Sequence, residues 1–194
     1  NDRLRPERRL EVVAEGLRAL EPDLVGLQEV RESEHLAQAT TLARALDMHS
    51  AFGVVDANSP GGAIGNAVLS RFPIARSENY SLPSPPGDPR CALKVVVQTP
   101  AGEVQLTSCH LSWEPHFAPV REKQVLALDV FTQAPPAVHV FMVGDFNAAP
   151  ESRAVRFLCG LDSLEGRGTF FRDAFARRNP GQEGFTFSSR NPFA

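Results

Sequence analysis

Lysine is almost missing from this chain: among 20 basic residues in 194, only Lys94 and Lys123 are lysines, and the rest are arginines. Against 23 acidic residues the formal net charge is −3, which excludes a protein held on nucleic acid by bulk positive charge. A phosphate-bearing substrate remains compatible, because a bound divalent cation would reverse the local field. Cysteine is scarce too. Cys91, Cys109 and Cys159 are odd in number and lack metal-type spacing; a disulfide framework is not expected, and all three read as buried small hydrophobes in a reducing setting. No apolar run reaches the ~18 residues that a membrane-spanning helix requires. The chain opens at Asn1 without an apolar segment of the signal type, so an export signal is expected to be absent or already removed. The compartment stays open, with the cytoplasm favoured. Internal repeats and low-complexity segments are lacking as well.

What is present is enough apolar residue, 42%, for one domain over residues 1–194 with a real core. The stretch that organises it is Val138 to Pro150. Val138, Val140, Phe141, Met142 and Val143 form a short apolar run between Pro135-Pro136 and Gly144, the pattern of a buried strand. At its end Asp145 and Asn147 sit two apart, so extended geometry continued past Gly144 would point both the same way. Loops at strand ends favour catalysis because a rigid sheet fixes their position. Taken alone, an Asp-x-Asn closes a strand as an Asx turn.

Along the chain, helical spacing predicts a first helix over 6–20, with Leu10, Val13, Ala14, Leu17 and Leu20 on one face. A short strand over 24–27 delivers Gln28-Glu29. Ser33 is expected to cap a helix over 34–46. Strands are expected over 50–55 and 66–70, with a loop at 58–65 and a proline-rich crossing at 81–89. Residues 92–99 and 103–110 form the clearest hairpin, ending at His110. A helix over 120–133 leads into the Val138 strand, followed by short helices over 152–158 and 173–176 and a strand at 185–187. Three strands thus end in groups of catalytic type: Glu29, His110 and Asp145. Interleaved strands and helices with a hairpin among them favour a mixed α/β sandwich.

A carboxylate, a histidine, an Asp/Asn pair and scattered arginines suit metal-assisted phosphoester hydrolysis. A cation on a hard oxygen ligand polarises the phosphoryl oxygen, a carboxylate orients water, and donors take up charge in the transition state. Four stretches, Asp23 to Val30, Gly65 to Pro73, Thr107 to Leu111 and Gly144 to Pro150, resemble in order the signature of the endonuclease/exonuclease/phosphatase superfamily, the deoxyribonuclease I-like group. The resemblance implies a four-layer α/β/β/α sandwich with mixed, largely antiparallel sheets. It implies hydrolysis of a phosphodiester or phosphomonoester that depends on Mg²⁺, with Mn²⁺ as a substitute. By similarity, Glu29 would be the metal ligand and His110 a donor to the scissile phosphate. Asp145 would orient or deprotonate the attacking water, and Asn147 would hold the phosphate. Asn66 and Arg90 would support substrate binding.

Family members normally start with a strand ending in Asn beside the metal and finish with a strand carrying Ser-Asp-His. Neither is found here, so the domain is expected to be incomplete at both ends. The substrate expected is a phosphate ester, either nucleic acid or a small molecule or lipid headgroup, acted on by a monomer. The competing reading is a binding or scaffold domain that keeps the sandwich without the chemistry. Trp113 and Phe117 read either as a substrate-facing aromatic rim or as ordinary loop packing. Arg121 and Gln124 read first as a salt bridge or cap, ahead of substrate contact. His116 reads as a surface loop residue, and His35, His49 and His139 as structural.

Overall fold

Two sheets face each other in the computed structural model, which describes residues 6–135 and 138–187. Helix α1 (Pro6–Leu20) runs into strand β1 (Leu24–Glu32), helix α2 (Gln38–Leu46) and strands β2 (His49–Asp56) and β3 (Ala63–Ser70). Strands β4 (Ile74–Leu82), β5 (Arg90–Thr99) and β6 (Gly102–His110) follow, then helix α3 (Ala118–Phe131) and strand β7 (His139–Asp145). One sheet has the order β1-β3-β2, all antiparallel; the other has β4-β5-β6-β7, with β6 and β7 parallel. A parallel neighbour needs a crossover, and α3 supplies it.

The alternation of each strand decides what lies between the sheets. Val68 of β3, Leu93, Val95 and Val97 of β5 and Leu106 of β6 form the dry centre. The opposite face of the three-stranded sheet packs Leu69 against Ala14 of α1 and Leu42 and Ala43 of α2. On the far side of the four-stranded sheet, α3 sends its carboxyl end over β4 to β6. Tyr80 stacks on Phe131 at 5.0 Å, Lys94 Nζ lies 4.3 Å over the same ring, and Gln105 donates to the Thr132 carbonyl. Helix, sheet, sheet and helix are therefore four layers, as the resemblance implies. Residues 149–194 form a second compact unit. In it, Ser152 caps helix α4 (Arg153–Leu158) and Asp173 caps helix α5 (Ala174–Arg178) through side-chain oxygens. No helix among the described residues is long and apolar enough to cross a membrane.

Several local expectations change. The strand expected at 185–187 is irregular, and β4, which was not expected, is a true edge strand. Its residues Arg76, Ser77, Glu78 and Asn79 are exposed and polar, so it carries no period-two apolar signal. Helix α2 starts at Gln38 rather than 34, because β1 continues to Glu32 and the Glu32 carboxylate accepts the Ala39 N–H in place of a Ser33 cap. Strand β3 begins at Ala63, inside the expected loop.

Candidate active site

Four of the six residues singled out meet at one pocket of about 180 Å³, lined by Glu29, Asn66, Asp88, Arg90 and His110. Glu29 arrives there through a bulge. Leu27 pairs with Ala67 and Val30 with Gly65, so Gln28 and Glu29 together oppose Asn66. The extra residue lets Gln28 keep the inner face, where its amide donates to Ser108 Oγ at 3.0 Å. Glu29 takes φ +56°, a left-handed conformation that costs a residue with a Cβ about 1–2 kcal/mol. Bulges re-aim side chains beside active sites, and strain of this kind gathers there.

Asn66 is 1% exposed, and its Nδ2 donates to the Cys91 carbonyl at 2.9 Å, tying the two sheets together at the pocket floor. Arg90 forms an ion pair with Asp88. The second oxygen of Asp88 and the Nε of Arg90 are both buried without a hydrogen-bond partner. Leaving such a group unmet costs roughly 1–3 kcal/mol, so the pair keeps unused bonding capacity at the pocket.

His110 and Asp145 are register partners on the parallel strands β6 and β7. Gly144 permits the approach. Its φ is +151°, and a Cβ there would collide with the Cys109 carbonyl oxygen. His110 Nε2 stands 3.9 Å from Asp145 Oδ2, beyond hydrogen-bond range. Burial and the Arg90 charge hold the imidazole below the usual histidine range, partly offset by Asp145, Glu29 and Asp88. Past Gly144 the chain does not stay extended. Asn147 adopts φ +47° and donates its N–H to Asp145 Oδ1 at 2.8 Å, the Asx turn that the Asp-x-Asn spacing allows. Its side-chain Nδ2 donates to the Leu111 carbonyl at 2.9 Å, and the Leu111 N–H donates back to the Asp145 carbonyl. Asn147 therefore fastens the segment after His110 to the end of β7, while it lies outside the pocket lining.

The family profile for endonucleases, exonucleases and phosphatases matches residues 1–194. The chain belongs to the endonuclease/exonuclease/phosphatase family. Solved structures of the same fold include the catalytic domain of human Nocturnin with bound sulfate, at TM-score 0.63 and 21% identity over 80% of this chain and 62% of that one. Sphingomyelinase C from Streptomyces griseocarneus matches at 0.60 and 22%, over 79% and 63%. ANGEL2, a 2′,3′-cyclic phosphatase, matches at 0.58 and 16%, over 75% and 45%. The chain thus spans about half to two thirds of the length of these structures. No curated protein sequence matches it.

Within this family member, sequence reasoning passed over Asp88 and gave Arg121 and Gln124 other partners. Asp88 sits in the proline-rich crossing, where only its spacing from Arg90 could have drawn notice. Arg121 makes neither salt bridge nor cap: its guanidinium donates to the carbonyls of Ser112, Glu114 and Pro115. Gln124 is fully buried, accepting the Ser112 N–H and donating to Ser112 Oγ and the Pro83 carbonyl. A buried arginine and glutamine three apart on a helix facing the His110 loop was the available signal. Cys91 and Cys109 are buried, Cys159 is half-buried, and all three are free. His116 is exposed, as are His35, His49 and His139.

Proposed function

We propose that this chain carries the core of a divalent-cation-assisted phosphoester hydrolase in which water attacks phosphorus in line with the leaving oxygen. The observation that carries the reading is the convergence of Glu29, Asn66, Arg90 and His110 on one small pocket, with Asp145 beside His110. The donor set suits a hard cation. Mg²⁺ is held through one or two carboxylates together with waters and substrate phosphate. Glu29 would be its ligand, and the partnerless Asp88 oxygen lines the same pocket; Mn²⁺ would fit the same oxygens. The cation, when bound, polarises the phosphoryl oxygen.

The chain's own residues supply the rest. Asp145 accepts the proton of the attacking water or orients it. Its Oδ1 is already fixed by the Asn147 N–H, which leaves Oδ2, the oxygen nearest His110, for that role. The neutral His110 imidazole donates one N–H to a non-bridging oxygen, and Arg90 places a fixed positive charge on the growing negative charge. Asn66 sets the spacing of the pocket floor, and Asn147, outside the pocket lining, holds the Asp145 carboxylate and the segment after His110 in place.

The substrate classes are nucleic acid, phospholipid headgroups and sugar or inositol phosphates. The test is a Mg²⁺-dependent hydrolysis screen of the full-length protein on bis-p-nitrophenyl phosphate, plasmid DNA, an inositol phosphate and sphingomyelin, beside Asp145→Ala. Turnover that disappears in Asp145→Ala supports the reading. Equal turnover in both proteins refutes the site. A second reading, a binding domain without turnover, draws on the thin ligand set: among the described residues no three of His, Cys, Asp and Glu gather to hold a metal. It expects phosphate-ester binding and silence on all four substrates.

A further inference from the structure

We propose that Trp113 is a stacking platform for a nucleobase attached to the phosphate ester, which narrows the substrate to nucleotide-type esters and rests on the phosphoester reading above. Three features of the loop after His110 lead there. First, its backbone is fixed from both sides. Leu111 is bonded to Asp145 and Asn147, and Ser112 to Gln124 and Arg121, two side chains that are themselves buried. Second, the next residue, Trp113, is 57% exposed. Two buried polar side chains are committed to holding an indole in water, an arrangement that core packing does not require. Third, Trp113 is three positions after His110, so its Cα lies within about 11 Å of the histidine's. That is the reach of a group esterified to a phosphate held at His110.

The surroundings choose the occupant. A lipid-inserting loop presents contiguous apolar surface. Here the neighbours are Glu114 and the exposed His116, whose Nδ1 lies 3.9 Å from the Glu114 carboxylate. A single exposed aromatic face beside Glu114 and His116, with Phe117 half-buried against the His116 ring, suits a flat ring that stacks, and stacking is tolerant of base identity because every base has a π-face. It also removes the need for a lysine-rich track, since one base and one phosphate carry the recognition.

Trp113 is the only tryptophan in this chain, and comparison with Trp113→Phe isolates its emission in the full-length protein. Titration of the full-length protein with AMP should quench the emission saturably, while ribose 5-phosphate should leave it unchanged. By calorimetry, the AMP-over-ribose 5-phosphate affinity ratio should fall on the order of tenfold in Trp113→Ala and recover largely in Trp113→Phe. Equal affinity for AMP and ribose 5-phosphate in the wild type overturns the proposal. So does a blue shift on phosphatidylcholine vesicles with no response to AMP. Turnover of bis-p-nitrophenyl phosphate, followed in parallel, separates the two readings. Base-selective binding without turnover keeps the platform and defeats the hydrolase. Turnover with no selectivity for a base defeats the platform.

Discussion

The space between the two sheets has two ends built from the same strands, and they differ in almost every respect. Along the inner face of β6 the residues run Val104, Leu106, Ser108, His110; along β3 they run Val68, then Asn66. Toward one end, Val68, Leu93, Val95, Val97 and Leu106 are 3% exposed or less and make only apolar contacts of the kind that stabilise a core. Toward the other, Ser108 accepts from Gln28 and donates to the Leu27 carbonyl, Asn66 bridges to Cys91, and His110 faces Asp145. A period-two pattern that is purely apolar for half its length and purely polar for the rest is what a sheet needs in order to be a rigid base and a site at once. The dry end supplies stability, and the polar end spends it on a bulge, a left-handed glutamate and two buried polar atoms without partners.

The comparison breaks first at the polar end. Asp145→Ala should lower turnover by about 10²–10⁴-fold, as loss of a positioned base does, while the melting temperature stays near wild type because Asp145 is exposed. A matched loss of folding and turnover would show that the two ends are not separable. At the dry end, Leu93→Ala should cost about 2–5 kcal/mol in denaturant unfolding, with no new requirement for cation. Between them stands Gly26, where a Cβ would collide with Val143 Cγ2. Gly26→Ala should therefore cost about 1–3 kcal/mol by overpacking, and Val143→Ala should return part of that in the double variant. The smallest effect sharpens the contrast chemically. Burial pushes the Cys109 thiol up to about 12 and the Cys91 thiol to about 11, so both stay protonated. Iodoacetamide on the native protein at pH 8 should label Cys159 well before either, read by peptide mass.

Much of this was legible in the sequence, and the reasons differ between elements. Buried strands such as β5 and β6 announce themselves by composition, and their polar terminal residues stand out against it. That is why His110 was found, whereas Asp145 was found through an apolar run that proves to be an edge strand with Phe141 exposed, and Glu29 lies inside β1 rather than at its end. The bulge was not legible: whether Glu29 faces the pocket depends on the Leu27–Ala67 and Val30–Gly65 pairings, and a sequence does not state register. Strand β4 was missed because an exposed edge needs no apolar alternation. Asp88 was missed because its meaning lies in Arg90 and the pocket. Asn147 was read through an extended backbone that Gly144 and the Asx turn do not provide. Arg121 and Gln124 were visible as polar residues on a helix, but most of their partners are backbone groups, which have no letter in the sequence.

The parallel pairing of β6 with β7 also bears on when the site comes into being. Asn147 meets Leu111 across 36 positions and Gln28 meets Ser108 across 80, so the bonds that join the strands around the pocket cannot form within a local segment, unlike the Asp88–Arg90 pair. Each requires a long loop to close, an entropic charge that local helices do not bear. The helices can form early and alone, whereas His110 and Asp145 become neighbours only after α3 has carried the chain back across the sheet. The pocket is in this sense a late product of folding, and a chain with most of its helix in place can still be without it.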